Sequence, residues 1–261
     1  MRKWNKVFRV MKGRVLSVKI GCIIETRMTS TRLPGKVLMD IVGKPAILRQ
    51  IERIQRSCFI DSIIVATTIN ASDDTLVELL ENENVLYYRG SEDDVLGRVA
   101  ETASFFNLDV VVEITGDCPL VDIAESDRVI ERYLEGGFDL VSNNLLRTYP
   151  IGIDTIVMSN RVLQEAARST DDPAHREHVC LYLYEHPFDY SFSNIEAPPF
   201  LRDAKLRMTL DTKEDYEFIC KIYEELYPQK ADFNLYDMMR LLNRKPELRA
   251  INSNIIQKKV R

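Results

Sequence analysis

The chain has 261 residues, 45% of them hydrophobic and 29% charged, with ten glycines and ten prolines. That composition excludes a collagenous, low-complexity or disordered protein and predicts one α/β domain with embellishments. Forty acidic against 35 basic residues leave a net charge of −5, which argues against a nucleic-acid partner, because backbone binding needs a basic field.

The first 19 residues carry Arg2, Lys3, Lys6, Arg9, Lys12, Arg14 and Lys19 with no acid. We read residues 1–17 as a solvated basic extension, since Lys19 interrupts the apolar stretch before it reaches signal-peptide length. No run approaches the roughly 18–20 apolar residues of a membrane helix, so no stable membrane insertion is expected. Val18–Ile24 is a short β-branched run, predicting a buried strand. Beyond a Pro/Gly loop, Ile47, Leu48, Ile51 and Ile54 recur at helical spacing. Ser62–Thr67 predicts a second strand, and Ser72-Asp-Asp offers an N-cap to a helix carrying Leu76, Leu79 and Leu80. A strand at Val85–Tyr88, a helix at Asp94–Phe105, a strand at Val110–Ile114, a helix at Asp122–Leu134 and a strand at Phe138–Ser142 follow. Continuous apolar strands alternating with helices predict a mostly parallel sheet covered on both faces. Right-handed crossovers then collect the loops after the strands along one edge, where ligands of such sheets bind.

The second half is less regular. Ile153–Met158, Tyr190–Asn194 and Lys205–Thr209 read as strands, and Asn160–Arg168, Ala174–Tyr184, Thr212–Tyr227 and Leu235–Leu242 as helices. We expect a main domain over residues 18–245, a substrate lobe at about 145–205 and a tail at 246–261. The five cysteines, Cys22, Cys58, Cys118, Cys180 and Cys220, are scattered with no CxxC, which predicts reduced thiols in a cytoplasmic protein.

The densest signal is Glu25-Thr-Arg-Met-Thr-Ser-Thr-Arg-Leu-Pro-Gly-Lys36, where the first core strand ends. Arg27, Arg32 and Lys36, with Thr29, Ser30, Thr31 and a Gly-containing turn, form a cationic cradle suited to a polyphosphate. It is neither GxxxxGK[ST] nor GxGxxG. Asp117, in Thr-Gly-Asp-Cys-Pro, follows a strand, with Gly116 allowing close backbone approach. Asp211 lies at another strand-to-helix junction, where position alone reads as a helix N-cap.

These segments resemble the cytidylyltransferases that activate acidic sugars, the 3-deoxy-manno-octulosonate and acylneuraminate enzymes among them, and match the SpsF-like spore-coat branch best. Beyond R-x-x-S-T-R-L-P-G-K, the agreement runs in order through Gly43-Lys-Pro45, Ile64-Val-Ala-Thr67, Arg89-Gly-Ser-Glu-Asp-Asp-Val-Leu-Gly-Arg98, Ile114-Thr-Gly-Asp-Cys-Pro-Leu120, Gly152-Ile-Asp154, Arg176-Glu-His-Val179 and Thr209-Leu-Asp-Thr-Lys-Glu-Asp215. The resemblance implies a Rossmann-like nucleotide-diphospho-sugar transferase fold with a small inserted lobe. It implies transfer of CMP from CTP to a small acidic sugar for surface polysaccharide, with Asp117 and Asp211 holding Mg²⁺ and Lys36 and Arg27 assisting. Glu25, Arg27, Ser30, Arg32, Lys36, Ala66, Thr67, Arg89, Arg98, Gly116 and Asp117 would line the nucleotide, and Arg147, Asp154, Arg176, Glu177 and His178 the acceptor. A homodimer is also implied, with the aromatic 182–200 region as a candidate surface.

Glu25 and Thr26 stand where that branch has Gln-Ala, and Thr29 where it has Gly. A carboxylate at position 25 either accepts a bond from the cytosine amino group or repels the triphosphate. Three other readings compete. A sugar-phosphate nucleotidyltransferase would carry a Gly-Gly-x-Gly-Thr-Arg loop, and a related glycosyltransferase an Asp-x-Asp; neither occurs. A non-catalytic nucleotide-sugar binder finds support only in Glu25.

Overall fold

The structure is a computed structural model that describes residues 8–11 and 14–257. Within the predicted basic extension, the backbone forms an antiparallel pair, β1 (Phe8–Met11) and β2 (Arg14–Ser17). The rest of that extension, and the last residues of the predicted tail, lie outside the described residues.

The core strands are β3 (Ile20–Glu25), β4 (Ser62–Thr68), β5 (Leu86–Gly90), β6 (Val110–Thr115), β7 (Leu140–Ser142), β8 (Ile156–Ser159) and β9 (Phe192–Asn194). They form one sheet in the order β5-β4-β3-β6-β8-β7-β9. β3 pairs in parallel with both β4 and β6, whereas β8 runs antiparallel to β6 and β7. Strands β8 and β9, from the predicted substrate lobe, therefore extend the nucleotide-side sheet. Helices α1 (Ala46–Ile54), α2 (Asp74–Asn82) and α4 (Ile123–Glu135) bury Ile47, Leu76 and Val129 on one face. On the other, α3 (Val95–Phe105) and α5 (Asn160–Ser169) bury Leu96, Val99 and Leu163. A third cluster gathers α8 (Lys213–Leu226) and α9 (Leu235–Arg244) against Leu33, Leu120 and Tyr149, tying together the loops that follow β3, β6 and β7.

Four local expectations are corrected. Asp73 does not cap α2; its carboxylate accepts instead from Thr67, Thr68 and the Met28 amide. The predicted helix over 174–184 divides into α6 (Pro173–Glu177) and α7 (Leu181–Glu185), because His178 is extended and the break turns Val179 and Cys180 into the core. Residues 205–209 make a single bridge, Ile151 to Arg207, and not a strand. There Gly152, at φ +95°, brings its backbone against Met208, and a Cβ would sit 2.7 Å from the Met208 carbonyl carbon. Part of the predicted tail is folded: α10 spans Glu247–Ala250, and Asn252 beyond it is buried. In the aromatic 182–200 region, Tyr182, Tyr184, Tyr190 and Phe192 pack against the core and Phe188 is exposed. No described helix is long and apolar enough to cross a membrane.

Candidate active site

The loop after β3 closes on itself. Gly35, at φ +70°, donates its amide to the Met28 carbonyl at 2.9 Å, and the Met28 amide is held by Asp73 at 2.9 Å. Leu33 plugs the third core cluster, so the loop is anchored in its middle and projects Arg27, Arg32 and Lys36 from fixed points.

Lys36 is where the distant parts meet. Its Nζ donates to Asp117 Oδ2 at 3.1 Å and to Asp211 Oδ1 at 2.9 Å, while Arg32 reaches the same Asp211 oxygen at 3.0 Å. Burial acts to lower the Lys36 pKa, but the two carboxylates overcome it and hold it above the usual lysine value. Burial likewise pushes Asp117 up, yet Lys36 and a 2.6 Å bond from Thr115 leave its carboxyl below the usual range. Opposite charges at such distances in a partly desolvated setting favour both ionised forms.

Asp211 is not the cap of α8. Thr212 takes that role in a capping box with Asp215, which leaves the Asp211 carboxylate directed at cations. Behind it, buried Arg207 bonds Asp215 at 2.9 Å and 3.2 Å and Asp211 at 3.3 Å, and Asn252 closes the set on Asp215 at 2.9 Å. Sequence reading singled out none of Arg207, Asp215 or Asn252 for the site. The available signals were the Arg at four and eight residues before two aspartates and the place of Asp215 in the matched Thr209–Asp215 segment; Asn252 gave none.

Gly116 is fixed by crowding. Its amide bonds the Glu25 carbonyl at 2.9 Å, and a Cβ there would lie 2.5 Å from Thr26 Cβ and 3.0 Å from that carbonyl. Because Thr26 is itself buried, the neighbours have little room to yield. Gly116→Ala is expected to lose about 1–3 kcal/mol, the usual cost of overpacking, read as a lower urea midpoint with unchanged slope.

On the nucleotide side, Arg27 meets Glu92 at 3.3 Å, and the Thr29 hydroxyl and Asn70 amide also turn to Glu92. Glu92 thus occupies the anion position of this cradle, a residue that sequence reading did not select. Arg89 is spent on the Thr68 and Asn70 carbonyls at 2.7 and 2.8 Å and on Asp74 at 2.8 Å. Ala66 is fully buried and accepts the Thr26 amide at 3.1 Å, and the Thr67 hydroxyl is taken by Asp73 at 2.6 Å. Ser30 is half-buried on the loop. Arg98 is buried, bonds the Ser91 carbonyl, and leaves its Nε without a partner.

The Glu25 carboxyl turns inward to a hydrogen bond with buried Glu113, and burial and Glu113 push it well above the usual range. On the acceptor side, Arg147 grips Asp154 through two bonds of 2.7 and 2.9 Å. Arg176 pairs with Asp94 at 3.1 Å and Asp171 at 3.3 Å. Glu177 is exposed and His178 half-buried. The neighbouring His175 is the buried one, between Thr170 at 2.7 Å and Glu185 at 2.8 Å. The structure therefore unites Arg32, Lys36, Asp117 and Asp211 in one centre, while Arg147 and Arg176 are each paired with other aspartates, Arg147 and Asp154 acting on Cys118 next to Asp117.

Comparison with known proteins agrees with this geometry. A family model described as cytidylyltransferase matches residues 21–243. The spore coat polysaccharide biosynthesis protein SpsF of Bacillus subtilis is 33% identical over 86% of this chain and 94% of its own. The 3-deoxy-manno-octulosonate cytidylyltransferase of Solibacter usitatus is 27% identical over 79% of this chain and 95% of its own. A solved cytidylyltransferase of Leptospira borgpetersenii superposes with a TM-score of 0.84 at 29% identity, over 93% of this chain and all of its own.

Proposed function

Because this chain belongs to the cytidylyltransferase family, we propose that it joins CTP to an acidic sugar of the ulosonic class, releasing pyrophosphate and forming a CMP-sugar for surface polysaccharide. The observation that carries this reading is the closure of Asp117 and Asp211, which lie far apart along the chain, on one ammonium group.

Two carboxylates facing a single cation are the donor set Mg²⁺ takes when phosphates and water complete its octahedron. Asp117 and Asp211 would hold that ion. When bound, Mg²⁺ polarises the α-phosphate and offsets charge on departing pyrophosphate. Lys36 has a flexible stem that lets it exchange carboxylate oxygens for phosphate oxygens, and Arg27 and Arg32 supply further positive charge. Arg27 would trade Glu92 for phosphate in the same way, so nucleotide loading exchanges one set of charge pairs for another. Catalysis by such an assembly is mostly positioning and charge stabilisation. An acceptor carboxylate would draw on Arg147 or Arg176, each by displacing its present aspartate.

A pyrophosphate-release assay with each nucleoside triphosphate and a panel of acidic sugars tests the reading. Release with CTP plus an ulosonic acid is the expected outcome. Tight CTP binding without release from any sugar would favour the non-catalytic reading, and release with another base would overturn the assignment to CTP.

A further inference from the structure

We propose that Thr115 and Arg207 are the positioning residues of the two aspartates. Each holds back one carboxylate oxygen, so that Asp117 and Asp211 offer one oxygen apiece to the cation between them. That presentation suits Mg²⁺ and disfavours the two-oxygen grip open to Ca²⁺. It rests on the metal-holding role given to these aspartates above, and adds what fixes their geometry and their choice of ion.

The division of oxygens is explicit. Asp117 Oδ2 meets Lys36 Nζ at 3.1 Å, while its Oδ1 accepts from the Thr115 hydroxyl at 2.6 Å and from Cys118 Sγ at 3.5 Å. Asp211 Oδ1 meets Lys36 at 2.9 Å and Arg32 at 3.0 Å, while its Oδ2 accepts from Arg207 Nη2 at 3.3 Å. One oxygen of each carboxylate faces the central ammonium, and the other is turned to a donor next to it in the chain or behind it in the fold. A carboxylate tied in this way does not rotate freely to close both oxygens on one ion.

The tethers are themselves fixed. Thr115 closes β6 opposite Glu25, and its carbonyl accepts from Nε2 of the fully buried Gln50 at 2.9 Å. Arg207 is buried and forks onto Asp215, with Nε to Oδ1 at 3.2 Å and Nη2 to Oδ2 at 2.9 Å. Asn252, just past α10, donates to the Asp215 carboxylate at 2.9 Å and to the Arg207 carbonyl at 3.2 Å, and Gln257 accepts from Arg207 Nη1. The C-terminal tail thereby braces the guanidinium from behind. The two aspartates are also set in register with one another, because the Asp117 carbonyl accepts the Leu210 amide at 2.8 Å and the Thr209 hydroxyl at 3.3 Å.

Charge and position separate at Asp211. The forked pair with Asp215 balances the Arg207 charge, so Arg207 orients Asp211 while the negative charge of Asp211 stays available to an ion. Ca²⁺ accepts roughly six to eight oxygens and takes carboxylates through one oxygen or both, whereas Mg²⁺ demands a near-ideal octahedron and keeps several waters. Two single oxygens on braced side chains meet the second requirement and leave the remaining positions to phosphate oxygens and water.

Thr115→Val and Arg207→Lys test this, the first nearly isosteric and the second keeping the charge but not the fork. The Mn²⁺ Kd is read from the free-ion EPR signal without nucleotide, and the Mg²⁺ and Ca²⁺ Kd from displacement of that Mn²⁺. Each variant should weaken Mg²⁺ about 10–100-fold and Ca²⁺ less, so that the ratio of Ca²⁺ Kd to Mg²⁺ Kd falls by about fivefold or more. Should Arg207→Lys not fold, Asn252→Ala, which keeps the guanidinium and removes its brace, should shift the ratio in the same direction. An unchanged ratio at both tethers, including the case where both ions weaken alike, overturns the proposal and leaves these residues a structural role. A shift at one tether alone overturns it for the other aspartate. Asp117→Asn and Asp211→Asn separate the two levels. Mn²⁺ binding that either substitution abolishes upholds the metal-holding role, so an unchanged ratio then sinks the tethering by itself. Mn²⁺ that fails to bind the wild type, or binds both of these variants as tightly, sinks the metal-holding role and the tethering with it.

Discussion

Asp117→Asn is expected to lower kcat by about 10³-fold or more while leaving the chain folded. Its carboxylate supplies one of two negative charges that close on a single cation, and its two oxygens are divided between Lys36 and Thr115. An amide keeps the shape and the Thr115 contact but removes the charge that a divalent ion requires. Loss of several kcal/mol of charge stabilisation at the α-phosphate corresponds to that rate. The fold should survive because Lys36 retains Asp211 at 2.9 Å and the surrounding turn is held by backbone bonds, among them Leu210 N to Asp117 O at 2.8 Å. Steady-state pyrophosphate release alongside urea unfolding checks both parts. Turnover within tenfold of wild type would remove Asp117 from the reaction.

Lys36→Met should give a loss of similar size and, in addition, a signature in stability. Without the ammonium, Asp117 and Asp211 face one another across a partly buried gap, with Arg32 and Arg207 left on Asp211 only. A cost of about 1–3 kcal/mol at neutral pH follows from leaving buried charges short of partners. The sign with pH is fixed by the wild-type shifts. Asp117 is depressed below its usual value, so its contribution is complete above the ordinary aspartate pKa of about 3.9 and lost as pH falls through the folded value. Lys36 is raised, so its contribution is complete below the ordinary lysine pKa and lost only as pH climbs through its folded one. The gap between wild type and Lys36→Met should therefore be widest between these limits and close in acid, where the Asp117 carboxylate becomes protonated. Millimolar Mg²⁺ should raise the Tm of the variant more than that of the wild type, since no ammonium competes for the two aspartates. Equal Mg²⁺ responses would argue against these carboxylates as the ion's holders.

The chemistry of the loop from Glu25 to Lys36 was readable because it is contiguous: charges, hydroxyls and a Gly turn follow one another along the chain. Strands β3, β4 and β6 were readable for a similar reason, since burial on both faces demands unbroken apolar runs. The helix over 174–184 was misjudged because local apolar periodicity does not register that the core draws Val179 and Cys180 inward. At 205–209 the same blindness applies, as an extended segment becomes a strand only when a partner lies alongside, and here the pairing is the single bridge from Ile151 to Arg207.

By itself the sequence determined the α/β architecture and the cationic loop, because each is written in local composition and spacing; the two aspartates were singled out by the family resemblance of their segments, since position alone read Asp211 as a helix cap. Only the tertiary structure decided which charges pair. It placed Asp211 on Lys36 and passed the helix cap to Thr212, set Arg207 behind the centre, and committed Arg89, Arg147 and Arg176 to partners within the chain. It also brought Glu25 against Glu113. Electrostatic partnership depends on separations of a few ångströms between residues far apart along the chain, and those distances exist only once the sheet has set its register.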